Sequence, residues 1–179
     1  MASLADGDLV RRVRAGEVET YWVLVERYRV EFGKYATAML DGDKDDAADA
    51  LQEAFIRAYD SLASCRDPDR FKAWMFRIVS NQCHNVRKRR RGHLSLERAV
   101  DRGEEPTAKA DDERSDIGEV LELAMKSLTE EQREAFILKH VDGRSYAEIA
   151  EMLAVGEDAL KMRVYRARDE LKKRLEELL

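Results

Sequence analysis

The sequence predicts an all-α protein made of two small helical domains joined by a flexible linker. Three observations carry this. Apolar residues recur at three- and four-residue intervals over most of the 179 residues, and no alternating run of strand length is present. Gly (9 residues) and Pro (2 residues) are scarce and cluster near the ends of the periodic segments. Between residues 92 and 118 the periodicity fails, and Gly103, Pro106 and a net charge of −4 take its place. The expected organisation is therefore a first domain over 1–91, an acidic linker over 92–118, and a second domain over 119–179.

In the first domain, Val13, Val18, Tyr21, Trp22, Val25, Tyr28 and Phe32 form an apolar series that Gly16 divides into two helices. Asp41-Gly42-Asp43 reads as a turn. A strong amphipathic helix follows from about Asp46 to Leu62, with Leu51, Phe55, Ala58, Tyr59 and Leu62 on one face. Residues 64–69 read as a loop. Pro68 opens the next helix, where its missing N–H costs nothing. That helix runs to about Arg91, with Phe71, Trp74, Met75, Ile78, Val79 and Val86 as its stripe, and a local helix near Leu94–Val100 is compatible with the pattern. In the second domain, Thr129/Gln132 and Ser145/Glu148 are two capping boxes, each satisfying a helix's first N–H groups reciprocally. Their helices are expected to end at Val141 and Leu153. Ala154-Val155-Gly156 breaks the chain before a last helix, in which Leu160, Val164, Ala167, Leu171 and Leu175 are buried.

Composition excludes several classes. Charged residues make up 39% and the hydrophobic set 44%, enough to build cores. No apolar run approaches the length of about 20 residues that a membrane span requires, and Met1–Asp8 does not resemble a signal peptide. The expectation is a soluble cytoplasmic protein without membrane insertion. Cys65 and Cys83 form no CxxC pair, and His84, His93 and His140 add no ligand spacing, so neither a disulfide, a metal site nor a cofactor is expected. The net charge of −5 argues against nucleic acid only until it is resolved by segment: 1–91 carries +2, 119–179 carries −3, and two local runs are strongly basic. These are Val86–Arg91, and Lys161–Arg174 with seven basic residues against two acidic ones.

Ser145–Arg168 has the form of a helix-turn-helix: a short first helix with Ile149 and Leu153 inward, small Ala150 at the crossing, a turn sealed by Val155 and Leu160, and a second helix with a basic face. Lys161, Arg163, Tyr165, Arg166 and Arg168 lie on that face, where cations neutralise phosphates and reach base edges. The plainer reading is a helical hairpin with a solvated charged face; the capping boxes and the small-residue turn weigh against it. The helix ending in RKRRR poses the same choice. It carries Trp74, Phe76, Arg77, Asn81 and Asn85, and aromatics beside cations and amides suit single-stranded DNA. Trp74 is equally readable as a core residue.

Three stretches together resemble sigma factors of the extracytoplasmic-function (ECF) group of the sigma-70 family: DDAADALQEAFIRAY (Asp45–Tyr59), DPDRFKAWMFRIVSNQCHNVRKRRR (Asp67–Arg91) and LTEEQREAFILKHVDGRSYAEIAEMLAVGEDALKMRVYRARDELKKRL (Leu128–Leu175). The resemblance implies a transcription initiation factor with no catalysis of its own. It implies that Asp49, Gln52, Glu53 and Phe55 dock on core RNA polymerase. Ser64, Arg66, Arg70, Lys72, Trp74, Arg77, Asn81, Arg87 and Lys88 would meet the promoter −10 element, with the 64–69 loop capturing a flipped base. Arg144, Ser145, Lys161, Met162, Arg163, Tyr165, Arg166 and Arg168 would meet the −35 duplex. It also implies control by an anti-sigma factor and a linker that threads toward the RNA exit path. Met162, Ala159 and Ala154 depart from the family pattern, the last replacing a turn glycine, and Glu157 and Asp158 open the last helix with charge unfavourable to phosphate. The linker composition leads us to expect several relative placements of the domains in the free chain, among them a compact one that masks the DNA-binding faces. Two readings compete. A simple helix-turn-helix regulator has no use for the 45–59 helix. A nuclease would need a metal-spaced carboxylate set near a basic groove, which is not evident. A pure interaction module is subsumed by anti-sigma binding.

Overall fold

The fold is that of a computed structural model, which describes residues 4–100 and 116–178; side chains at 98–100 and at 116–117 are outside the description. Most of the expected linker, residues 101–115, therefore lies outside the described residues.

The first domain contains α1 (Asp6–Arg14), α2 (Tyr21–Met39), α3 (Lys44–Asp60) and α4 (Phe71–Val100). Asp41 and Gly42 take positive φ between α2 and α3, and the Asp43 carboxylate caps α3 by accepting from the N–H groups of Asp45 and Asp46. This cap starts α3 two residues earlier than its apolar periodicity does. Ala47, Ala50, Ala54 and Ala58 are buried along one face of α3, and such small side chains bring it close to both α2 and α4. The core between these helices is aromatic: Tyr28 stacks on Phe32 (5.2 Å), and Tyr35 meets Phe76 edge-on (4.7 Å). Phe76, expected on a strand-stacking face, is fully buried in this cluster. The apolar series predicted for α2 is also displaced at its start. Leu24 is in the core, whereas Trp22 is 63% exposed and Val18 is exposed too. α4 does not stop at Arg91 but continues through residues 92–100, so the first part of the expected linker is helix.

The second domain contains α5 (Asp116–Met125), α6 (Glu130–Phe136), α7 (Tyr146–Leu153) and α8 (Glu157–Leu178). Both capping boxes form. The helix expected to reach Val141 is α-helical only to Phe136. It then widens into a π-helical turn over Ile137–Val141, which keeps Ile137 and Leu138 in the core. α8 packs across α5, α6 and α7 through Leu160, Val164, Ala167 and Leu171. Ala154 closes α7 in the left-handed region (φ 53°).

The domains are not separate bodies in this structure. α7 lies on α4, the π turn lies on α2, and Ala135, Ile137, Leu138, Ile149 and Met152 continue the apolar core of the first domain into the second. No helix among the described residues is long and apolar enough to cross a membrane.

Candidate polymerase and nucleic-acid interfaces

α3 and the C-terminal half of α4 form the walls of a surface groove. Asp46, Asp49, Glu53 and Arg57 line one side, and Asn85, Lys88, Arg89, Arg90 and His93 the other. Asp49 and Glu53 are exposed there, with Glu53 bonded to Arg57 one turn on (2.8 Å), and Gln52 is exposed on the same helix outside the groove lining. Phe55, expected in the same set, points the other way: it is 7% exposed and belongs to the core, because it follows the inward Ala54 on the apolar face. The basic run at the end of α4 is divided. Arg90 is held by Asp43 and Asp46, while Lys88 and Arg89 are exposed.

The 61–70 loop is built from the inside. Arg14 donates to the carbonyls of Leu62 (2.6 Å) and Cys65, which pins the loop on α1. Asp67 accepts from the Asp69 N–H, with Pro68 in the first turn behind it. Arg11 holds the Asp69 carboxylate at 2.9 Å, close to Gly7, where any larger residue would strike it. Ser64 and Arg66 are left exposed at the tip. Beyond the loop, Arg77, Asn81, Asn85 and Lys88 are exposed at successive turns of α4 and share a face. Trp74 is half-buried, leaning on Phe71 (5.8 Å) and on the core, so the core reading of this residue prevails in this closed arrangement.

On α8, Lys161, Met162, Tyr165, Arg166 and Arg168 are exposed, Tyr165 to 65%. Arg163 is half-buried 3.7 Å from Glu131. Ser145 spends its hydroxyl on the Glu148 N–H and so acts first as a helix cap. Burial, and then the nearby Arg168 and Lys139 charges, hold His140 below its ordinary value, as expected beside a cationic surface.

Sequence reasoning allowed a compact placement of the domains but missed the residues that make the seam between them. Glu134 is buried and accepts from the Tyr35 hydroxyl and the Ser80 hydroxyl, both at 2.5 Å, with His84 Nε2 at 3.6 Å. Burial and the Glu134 charge push the Tyr35 phenol well above its ordinary value, so it stays a donor. Arg133, 1% exposed, reaches Asp41 (2.5 Å), while its Nε and Nη2 have no hydrogen-bond partner among the described residues. Arg87 bonds Asp41 (3.0 Å) and Glu130 (2.8 Å), and Arg91 meets Glu130 at 3.1 Å. Arg144 is 12% exposed and donates to Glu31, which also accepts from Lys72 (2.9 Å). Arg70 lies 3.8 Å from Glu151. Arg87, Arg144 and Lys72, expected on DNA, are thus engaged within the protein. Against the effect of burial, hydrogen bonds from Lys72 and Arg144 hold Glu31 below its ordinary value, and Arg133 and Arg87 do the same for Asp41. Periodicity alone does not reveal this seam, since it rests on charged side chains that amphipathic patterning assigns to solvent. The one legible signal is the adjacent Arg133-Glu134 pair just before the apolar Ala135–Leu138 stretch.

Comparison with known proteins follows the same division of the chain. Residues 24–93 match the family model of sigma-70 region 2, and residues 118–171 match that of sigma-70 region 4. The chain is 29% identical to the ECF RNA polymerase sigma-E factor of Escherichia coli over 187 residues, covering 98% of this chain and 97% of that protein. It is 27% identical to the sigma-E factor of Haemophilus influenzae, with 98% of each covered. The structure of CnrH in complex with the cytosolic domain of CnrY superposes with a TM-score of 0.67 at 27% identity, over 97% of this chain and 98% of that one. The sigma factor RpoE in complex with the anti-sigma factor NepR from Bartonella quintana shares the fold (TM-score 0.62, 24% identity, 87% of this chain and 96% of that one). With region 2 and region 4 matched in order and ECF relatives spanning its length, the chain belongs to the sigma-70 family as a sigma factor of the ECF group.

Proposed function

We propose a division of labour for this ECF sigma factor in which region 2, over 1–91, grips core RNA polymerase and opens the −10 element, and region 4, over 119–179, reads the −35 duplex. As a transcription initiation factor the protein is not an enzyme; it contributes binding and strand opening to a polymerase that holds the chemistry. The observation that carries the assignment is the exposed face of α8, where Lys161, Met162, Tyr165, Arg166 and Arg168 stand together above a capped helix-turn-helix. Cations there would neutralise phosphates, and Met162 would offer apolar contact to a thymine methyl. Asp49 and Glu53 at the α3/α4 groove, with exposed Gln52 on α3, present the acidic and amide chemistry that pairs with basic side chains on polymerase. Ser64, Arg66, Arg77, Asn81 and Lys88 would follow the melted strand, with the loop tip enclosing a flipped base to offset an unstacking cost of a few kcal/mol. One structural relative is bound to the anti-sigma factor NepR and another to the cytosolic domain of CnrY, and an anti-sigma factor covering these faces would control this chain in the cytoplasm, where polymerase works.

The test is reconstitution. Purified protein added to sigma-free core polymerase is expected to start transcripts at fixed points on promoters from the source genome. Changing Glu53, or the Arg163/Arg166 pair, is expected to abolish them. DNA binding with no transcript would instead favour a polymerase-independent regulator.

A further inference from the structure

Four basic side chains assigned to DNA, Arg70, Lys72, Arg87 and Arg144, end on carboxylates at the seam between regions 2 and 4. Glu31 differs from the other acids in holding one such cation from each region: Lys72 at the start of α4 and Arg144 just before the helix-turn-helix. We propose that Glu31 is an internal substitute for DNA phosphate, which in the free chain closes region 4 onto region 2 and withholds a −10 and a −35 contact at once. The proposal rests on the assignment of Lys72 and Arg144 to DNA.

The chemistry of the contact fits a reversible latch. A carboxylate accepting from an ammonium and a guanidinium reproduces what a phosphate oxygen offers the same groups. Glu31 and Lys72 remain partly open to water, so their pairing contributes little and exchanges readily. Promoter DNA, with a charge every few ångströms, outcompetes a single carboxylate once polymerase has begun to separate the domains. Beside this latch the regions share the apolar contacts of Ile137, Leu138, Ile149 and Met152, to which the other seam charges add little. Arg133 is buried with Nε and Nη2 unpaired among the described residues, and buried ion pairs of this kind add little net stability. α7 meanwhile lies on α4, the helix that carries the face assigned to the melted strand.

Two experiments on the full chain test this. In the first, Glu31→Ala and Glu31→Gln are compared with the unaltered protein for affinity to promoter DNA carrying a melted −10 region. Glu31→Ala is expected to bind about three- to tenfold more tightly, the gain that opening confers on a chain closed about 70–90% of the time. Glu31→Gln, which keeps the hydrogen bonds but not the charge, is expected to fall between. In the second, Val30→Cys and Val141→Cys, exposed residues lining the same surface recess as Glu31 and Arg144, are joined with a reducible bismaleimide; the native cysteines are buried. The joined chain is expected to lose promoter binding and initiation, and to regain both on reduction. Unchanged affinity in a folded Glu31→Ala chain, or full activity in the joined chain, overturns the proposal. If the unaltered protein starts no transcript with core polymerase, the sigma reading fails instead, and the DNA affinities still judge the latch.

Discussion

Ala154 adopts φ 53° and ψ 45° at the end of α7, a left-handed conformation that puts a Cβ against the following carbonyl. The family resemblance marks this as the place of a turn glycine, and the helix-turn-helix geometry has been kept here without it. Ala154→Gly should therefore stabilise the protein by about 0.5–1 kcal/mol, the strain relieved less the extra freedom of glycine when unfolded. Denaturant titration of both chains measures this, and an unchanged or lowered midpoint would show that the turn carries no such strain. A second residue-scale expectation concerns Cys83. Burial foremost, and then the Glu134 charge, push its thiol up to about 12. Only about one part in 10⁴ is thiolate at pH 8, and the thiolate is the reactive form. Aromatic disulfide reagents should leave Cys83 untouched in the native protein and label it in denaturant; rapid native labelling would contradict the packing around it.

At the scale of elements, the α8 face and the 61–70 loop make different demands. Arg166 is exposed on the helix that region 4 presents to duplex DNA. Its replacement by Ala should weaken binding and, if Arg166 neutralises a phosphate, make the dependence of log affinity on log salt shallower by about 0.9. A slope unchanged beside a shifted base preference would assign it to base reading instead. The loop depends on a residue far from it in sequence. Arg14→Ala frees the carbonyls of Leu62 and Cys65, at an expected cost of about 1 kcal/mol of stability. It should also flatten discrimination at the −10 position captured by the loop while leaving −35 discrimination intact; equal loss at both would point to general unfolding. These elements also mark what is legible in the sequence. The capping boxes at Thr129 and Ser145 set their helices' starts correctly because capping is local chemistry. The outward residues of α8 follow directly from periodicity. Phe55 escapes such reasoning because a resemblance places a residue on a helix without saying which way it points. The end of α4 is legible only in part: a local helix over Leu94–Val100 is compatible with the pattern, but Gly92 conceals its continuity with the helix that carries Arg91. Arg14 is invisible, since its partners are backbone carbonyls about fifty residues away.

For the whole molecule, the arrangement of the two regions depends on charge, and so on pH. Glu31 faces Lys72 and Arg144, with Asp142 nearby; Asp41 faces Arg133, Arg87 and, at 3.9 Å, Arg90, with Lys126 contributing at longer range. Both carboxyls sit below their ordinary values of 4.5 and 3.8. A carboxyl lowered by folding contributes stability that is fully present above its unfolded value and lost as pH falls through its folded value. Asp142 acts in the opposite sense: burial raises it, so its protonation relieves a cost. Two lowered groups that join the regions against one raised group predict that closure weakens in acid. The seam sets a polar centre, Glu134 with Tyr35 and Ser80, beside the apolar contacts of the shared core, so its closure rests on charge as well as on apolar burial. Small-angle scattering should therefore show the chain compact from neutral pH down to the ordinary carboxylate range. Below that range it should expand while helical circular dichroism is largely retained, as two intact regions separate. Added salt at neutral pH should move the chain in the same direction, since the Glu31–Lys72 and Arg70–Glu151 contacts are partly open to solvent and are screened. Expansion only together with loss of helix would mean that the shared apolar core, through Ile137, Leu138, Ile149 and Met152, holds the regions together and that the ion pairs merely decorate it.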